Sequence, residues 1–171
     1  MINAIFAIDQ DGGMGLGDFM PWPRNEKDLA WFKMHTVGHI IVMGRGTWES
    51  SDMPSPLPGR TNWVITSRIE PALAGAHIWN KDPVKLLYKL ERENPSKIIW
   101  VIGGAKLLSS LEGLFDRLYV TDIAGEFGCD SKIDFESMIK GYKRIYISQH
   151  LDMDHAIYEK LSGTTDRKSV V

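Results

Sequence analysis

Short apolar runs alternate with segments of helical periodicity along most of the chain, and this alternation restricts the possible folds more than any other feature. The first run, Ile2–Ile8, is typical of a buried strand. Later runs predict strands over 39–43, 62–66, 76–79, 98–102 and 118–123. The intervening segments predict helices over 25–36, 83–93 and 105–114, and a short one over 44–49.

The C-terminal part of the chain changes this rhythm. Strands are predicted at 142–148 and 156–161 with no helix between them, which indicates an antiparallel hairpin. His150 and His155 flank its turn, and we expect both to be solvated. The whole pattern predicts an α/β fold with a mostly parallel central sheet, helices on both faces and a C-terminal antiparallel hairpin. We expect one domain over 1–161 and an aperiodic tail over 162–171.

Composition excludes several classes of protein. The formal net charge of −2 argues against a dedicated nucleic-acid binder. No apolar run reaches the length of a membrane helix, so we expect no membrane partner. The single cysteine, Cys129, excludes a disulfide framework, and the five histidines show no metal-binding spacing, so no metal is expected. The first residues lack the pattern of a signal peptide, which favours a cytoplasmic location.

Three predicted strands end in residues suited to binding phosphate. The segments 44–47, 67–68 and 103–104 combine glycines, arginines and hydroxyl groups, two of them next to the start of a predicted helix. Each segment alone is weak evidence for a phosphate-binding site, because a pair of glycines after a strand is most often a tight turn. Because parallel strands end at one edge of a sheet, the three together indicate a ligand with several phosphates.

The glycine-rich loop after the first strand is not a dinucleotide-binding fingerprint. Asp18 stands where the pattern requires its third glycine, and Pro21 and Pro23 prevent the helix that should follow. A loop with four glycines, at 11–17, is instead typical of a mobile lid. Trp22, just after the loop, could close with it over a ligand.

Asp28 has two interpretations. It lies near the start of the predicted helix, where an aspartate complements the helix dipole. It also shares a helix face with Trp31 and Phe32. A carboxylate with apolar walls could bind a flat heterocycle through two adjacent N–H donors.

Several motifs resemble one family in order and spacing. They are Met20-Pro21-Trp22, the segment 28–33 with sequence DLAWFK, the segment 42–50 with sequence VMGRGTWES, the segment 57–62 with sequence LPGRTN, Ile102-Gly103-Gly104, and the segment 118–121 with sequence LYVT. Together they extend over nearly all of 1–161. On these motifs the chain resembles the dihydrofolate reductase family.

The resemblance implies that NADPH reduces 7,8-dihydrofolate to tetrahydrofolate, by hydride transfer to pterin C6 with protonation of N5 by water. It implies catalytic roles for Asp28, Trp22 and Thr121, with Asp28 binding the pterin ring. The implied substrate-binding residues are Ile5, Ala7, Asp28, Leu29, Phe32, Leu57, Arg60, Ile102 and Thr121, with Arg60 pairing the α-carboxylate of the glutamate tail. The implied NADPH-binding residues are Ala7, Gly44, Arg45, Gly46, Thr47, Ser67, Arg68, Gly103, Gly104, Ala105, Lys106 and Leu107.

The family also implies a cis peptide between Gly103 and Gly104, a monomer, and antifolates as further small-molecule ligands. The chain departs from the family pattern at Gly46, where a basic residue is common, and at Cys129, which we expect to be a surface residue beside a turn. Two alternatives stay open. One is a reductase of a related pyrimidine on the same fold, and the other is a folate- or nucleotide-binding protein without turnover.

Overall fold

The computed structural model describes residues 1–68 and 73–162, in which strands and helices alternate as predicted. The strands are β1 (Ile2–Ile8), β2 (Gly13–Gly15), β3 (Ile40–Gly44), β4 (Thr61–Ile65), β5 (His77–Trp79), β6 (Ile99–Gly103), β7 (Arg117–Ile123), β8 (Ser131–Lys132), β9 (Tyr142–Gln149) and β10 (Met153–Lys160). The helices are α1 (Glu26–Thr36), α2 (Arg45–Trp48), α3 (Pro83–Glu93), α4 (Ala105–Ser110) and α5 (Phe135–Met138). Apart from Ser162, the predicted tail lies outside the described residues.

Eight strands form one sheet in the order β5-β4-β3-β6-β1-β7-β10-β9. The pairs from β5 to β7 are parallel, and β10 runs antiparallel to both β7 and β9. The predicted fold class is therefore confirmed, including the C-terminal hairpin. β1 lies near the centre, between β6 and β7, so both of its faces are buried.

Alternate residues of the central strands pack into two separate cores. Phe6 and Ile8 point to the face covered by α3 and α4, where Leu86 and Leu108 are fully buried. Ile5 points to the other face, where it packs in a cluster with residues such as Trp31 of α1. This two-sided burial explains why the strands are nearly continuous apolar runs rather than alternating ones.

Local signals set the ends of the helices. Asn25 caps α1, and Asp82 caps α3 with Pro83 at the first helical position. The predicted helix at 105–114 is wrong in length, because α4 ends at Ser110. The Leu111 N–H bonds to Leu108 in a tight turn, and Gly113 then takes a positive φ of 84°, which redirects the chain.

Four further elements differ from the sequence prediction. The two-stranded sheet of β2 and β8 and the short helix α5 were not predicted, since elements this short have little periodicity. β10 begins at Met153 rather than 156, because Met153 pairs with Ile123 and its side chain is buried. None of the helices in the described parts of the chain combines the length and apolar character needed to cross a membrane.

Two half-buried histidines make the stability of the fold depend on pH. Burial lowers the pKa of His39, with the Lys97 charge adding to the effect, and the Ile98 N–H donates to its Nδ1 at 3.0 Å. Burial also lowers the pKa of His35, and His155 adds to that effect. Below the ordinary histidine pKa the unfolded chain binds protons more readily than the folded one, so acid destabilises the fold.

We predict that His39→Asn makes stability less dependent on pH. The amide oxygen can still accept from the Ile98 N–H but takes up no proton. Urea unfolding at about pH 7.5 and about pH 5.5 should show the parent losing free energy of unfolding in acid, and the variant losing less. Equal losses in parent and variant would contradict the assignment to His39.

Candidate active site

The carboxylate of Asp28 lies between helix α1 and the sheet. The N-cap of α1 is Asn25, whose side chain accepts from the Asp28 N–H at 3.1 Å, so the Asp28 side chain is not needed as a cap. Thr121 of β7 donates its hydroxyl hydrogen to Asp28 Oδ1 at 2.6 Å. A first-turn aspartate that bonds across to a strand is better suited to ligand binding than one that only complements the helix dipole.

His155 is a second partner of Asp28, and its predicted exposure is wrong. It is only 4% exposed, and its Nε2 lies 3.1 Å from Asp28 Oδ1. Because β10 begins at Met153, His155 falls inside the strand and directly opposite Thr121. The two acidic residues beside Met153 suggested a turn, and only the alternation of buried Met153 and His155 could have indicated the strand.

Apolar side chains surround the region beside Asp28. Ile5 and Leu57 are buried in the cluster under α1, and Phe32 and Ile102 pack against the same cluster. Leu29 is 38% exposed on the outer side of the same helix. Ala7 is half-buried and lies opposite Thr121 on the neighbouring strand. Ile5, Leu57, Phe32 and Ile102 therefore share one apolar cluster, and the contacts of all six residues with a ligand stay predictions.

Arg60 is held at the far end of α1 from Asp28. Its Nε donates to the Pro58 carbonyl at 2.9 Å and its Nη1 to the Thr36 hydroxyl at 3.1 Å. The guanidinium carbon lies 5.9 Å from the centre of the Phe32 ring, and burial lowers the pKa of the group. These contacts occupy two of its five N–H donors, which leaves donors suited to a carboxylate.

The three predicted phosphate-binding segments do meet at one edge of the sheet. Gly44 pairs with Ile65, and Met43 with Gly103, so the ends of β4, β3 and β6 lie side by side. Gly44 and Gly104 are the N-caps of α2 and α4 and supply no side-chain cap. Backbone N–H groups at these helix starts can therefore bind an anion.

The glycines at this edge leave their backbone groups uncovered by side chains of their own. The Gly103–Gly104 peptide is cis, as expected from the resemblance. A Cβ added at Gly103 would lie 3.4 Å from Thr47 Oγ1 and 3.7 Å from Met14 Cε, whereas one at Gly46 would meet open space. Half-buried Gly44 and Gly104 and buried Gly103 thus place backbone groups near the Thr47 hydroxyl group, which suits the close approach of a phosphate-bearing cofactor.

The other predicted cofactor residues differ in their surroundings. Arg45 forms an ion pair with Glu49 at 2.6 Å. Ser67, Arg68 and Lys106 are exposed, which suits charged or polar contacts with a ligand. Ala105 and Leu107 are buried side chains of the α4 core, so only their backbone groups are suited to a cofactor. No set of three or more His, Cys, Asp or Glu residues in the described ranges is arranged to hold a metal.

The glycine-rich loop is fastened to the segment that follows β7. The Asp130 N–H donates to Gly15 O at 3.0 Å, and the Gly17 N–H lies 3.1 Å from Asp130 Oδ2. Trp22 is buried beside this junction and packs edge-on against Phe127, with ring centres 5.9 Å apart. Hydrogen bonds and ring packing thus join the loop and Trp22 to the segment around 127–130.

Asp9 lies at the root of that junction. It accepts hydrogen bonds from the N–H groups of Asp11, Gly13 and Phe127, at 2.9, 2.8 and 3.0 Å. Burial opposes its ionisation, but the hydrogen bonds from Gly13, Phe127 and Asp11 together lower the pKa of Asp9. The role of Asp9 could not be predicted from the sequence, because nothing in a lone aspartate after a strand indicates a partner as distant as Phe127.

Cys129 is buried, so its expected surface position is wrong. Its Sγ lies 3.5 Å from Asp9 Oδ2, and burial, followed by the charge of Asp9, raises the pKa of the thiol. It packs against Gly13, where an added Cβ would lie 2.6 Å from both Cβ and Sγ of Cys129. The glycine at 13 and the cysteine at 129 therefore fit each other sterically.

Comparisons with known proteins agree on one family. A dihydrofolate reductase family model matches residues 1–160. A dihydrofolate reductase of Bacillus subtilis (strain 168) is 39% identical over 132 residues, covering 76% of this chain and 73% of the relative. A dihydrofolate reductase type 8 of Escherichia coli is 30% identical over 153 residues, covering 87% and 89%. The structure of dihydrofolate reductase from Enterococcus faecalis complexed with NADP(H) and RAB-propyl superposes with a TM-score of 0.78 at 26% identity, covering 94% and 96%.

We predict that Gly13→Ala lowers the free energy of unfolding by about 1–3 kcal/mol, because the methyl group overlaps Cys129. Adding Cys129→Gly should recover part of the loss, since the overlapping atoms are then absent. Gly46→Ala, which meets open space, is the matched control and should change stability little. Urea unfolding of the parent, the two single variants, the double variant and the Gly46→Ala control measures the coupling, and a strictly additive double variant would contradict the steric fit.

Proposed function

The chain belongs to the dihydrofolate reductase family, and we propose that its Asp28 binds the pterin ring of dihydrofolate at the site between α1 and β7. Its activity is the reduction of 7,8-dihydrofolate to tetrahydrofolate. The observation that supports the role of Asp28 is its half-buried carboxylate, 21% exposed and hydrogen-bonded to Thr121, beside apolar side chains. A carboxylate accepts N–H bonds from adjacent ring donors, as the pterin 2-amino and N3 groups supply.

NADPH is the cofactor of the reaction, and the edge formed by β4, β3 and β6 fits it. When bound, NADPH supplies the hydride that pterin C6 receives. We assign its phosphates to the backbone at Gly44, Gly103 and Gly104, which have no side chains to cover their backbone groups. Arg45, Ser67 and Arg68 lie at the ends of β3 and β4, where two cationic groups and a hydroxyl suit a 2′-phosphate.

The chain's own contribution to the proton transfer is electrostatic in this proposal. Asp28 fixes the tautomer and charge of the pterin ring from the side of its 2-amino group, and water delivers the proton to N5. Trp22 and the glycine-rich loop limit how much water reaches the ring, because they are fastened to the 127–130 segment beside the site. The balance is one hydride to C6 and one proton to N5 for each turnover.

Arg60 is proposed to bind the glutamate tail of the substrate. Its guanidinium is oriented by Pro58 and Thr36 and packed against Phe32, so the group is held in place before a carboxylate arrives. The ligands of the site are then dihydrofolate and antifolates. The expectation of a monomer stays a prediction.

The direct test of the function is the loss of NADPH absorbance with dihydrofolate, measured beside an aminopyrimidine substrate. Turnover of dihydrofolate alone supports the proposal. Turnover of the pyrimidine alone would favour a pyrimidine reductase, for which Asp28 and Arg60 have no assigned role. Binding of both NADPH and dihydrofolate without absorbance loss would favour a binding protein.

We predict that Asp28→Asn raises the barrier to hydride transfer at neutral pH by about 3–4 kcal/mol, which slows this step roughly a few hundredfold. The amide keeps the size but loses the charge, and its N–H₂ group faces a donor of the ring. Single-turnover fluorescence with NADPH measures the step. Asp134→Asn is a matched control, because Asp134 caps α5 and asparagine also caps helices. A rate in Asp28→Asn close to that of Asp134→Asn would contradict the role of Asp28.

We predict that Arg60→Leu weakens ligands with a glutamate tail by roughly ten- to a hundredfold and leaves small diaminopyrimidines unaffected, since these have no carboxylate. Arg60→Lys should weaken the ligands with a glutamate tail to an intermediate degree, because lysine keeps the charge but not the forked donor geometry. Titration calorimetry with methotrexate and trimethoprim compares the two ligand classes. Equal weakening of both would mean that Arg60 acts only by supporting Thr36 and Pro58.

A further inference from the structure

The imidazole of His155 is packed directly against the carboxylate to which the proposed function assigns the pterin ring. We propose that His155 is a positioning residue for Asp28, donating from Nε2 to Oδ1 and thereby fixing the plane of the carboxylate. The inference rests on the role proposed for Asp28. It adds a residue from the last strand of the sheet, 127 residues away in sequence, to a site otherwise built from α1 and β7.

The register of the sheet places two donors on one carboxylate oxygen. His155 of β10 and Thr121 of β7 are directly paired, so their side chains lie on the same face of the sheet. Thr121 Oγ1 lies 2.6 Å and His155 Nε2 lies 3.1 Å from Asp28 Oδ1. Rotation of the carboxylate about its Cβ–Cγ bond would break both bonds, so the two donors favour one orientation before a ligand binds.

This arrangement requires a defined tautomer of His155. An ionised carboxylate only accepts hydrogen bonds, so the imidazole must have its proton on Nε2 to donate. With the proton on Nδ1 alone, the Nε2 lone pair would face the carboxylate and repel it. The tautomer is therefore a property of the parent protein that tests the proposal directly.

The other role of His155 is packing, and it can be separated from the polar one. The His155 ring stacks on Trp31 with centres 4.2 Å apart and planes 7° from parallel. Phenylalanine at 155 keeps a stacked ring but has no N–H donor. Glutamine at 155 keeps an N–H donor but has no ring. The two substitutions thus each remove one of the two roles.

If His155 positions Asp28, His155→Phe should lower the single-turnover rate with dihydrofolate and NADPH by roughly ten- to a hundredfold, the loss typical of a hydrogen bond to a charged group. His155→Gln should restore most of that rate, while urea unfolding shows the larger loss of stability in the glutamine variant. A packing role predicts the opposite order of rates. A larger loss in the glutamine variant, equal losses, or parent-like rates in both would overturn the proposal.

A second measurement needs no variant. Nitrogen-15 spectra of the parent bound to NADPH report which ring nitrogen of His155 is protonated. A protonated Nε2 supports the proposal, and a neutral ring protonated only on Nδ1 overturns it, even if neither variant folds.

Failure of this proposal can be told apart from failure of the proposed function. If the parent does not reduce dihydrofolate, or Asp28→Asn keeps its rate, the assigned role of Asp28 is wrong. If Asp28→Asn is impaired while His155→Phe is not, only the role of His155 is wrong. Combining Asp28→Asn with His155→Phe gives a further check. Loss of a positioning residue should lower the single-turnover rate little once the carboxylate that it positions is absent.

Discussion

A carboxylate held between a helix and a sheet needs donors from the sheet, and this requirement at Asp28 links the main parts of the structure. Thr121 of β7 and His155 of β10 supply those donors, and Trp31, one turn along α1, stacks on the same imidazole. The helix is thus fixed by polar and aromatic contacts at one point. The apolar cluster beneath it completes the packing and keeps the carboxylate partly out of water.

The parallel arrangement of the central strands accounts for where the cofactor edge lies. Strands β4, β3 and β6 end side by side, so short loops far apart in sequence meet there. Gly103 takes a positive φ of 137°, which favours glycine, whereas a side chain at Gly46 would meet open space. The geometry of the sheet, rather than any one loop, creates the surface for a ligand with several phosphates.

Most of the fold could be predicted from the sequence, because β1 and β3 are nearly continuous apolar runs and α1 and α3 have clear caps. Asp28 and the glycine edge could also be identified, since both depend on local motifs. His155 could not be identified, because its role depends on the register of β10 against β7. The acidic residues on both sides of Met153 suggested a turn where the strand begins. Asp9 and Cys129 were missed for a similar reason: their partners are brought near only by tertiary packing.

The central position of β1 has a consequence for how the chain acquires its shape during synthesis. β1 leaves the ribosome before β6 and β7, whose residues emerge about a hundred positions later, so it must wait for these two neighbours to pair. Asp28 also emerges early, but its imidazole partner belongs to the final hairpin. The pair of donors on Asp28 is therefore complete only after β10 has been synthesised, and until then the carboxylate lacks its imidazole partner.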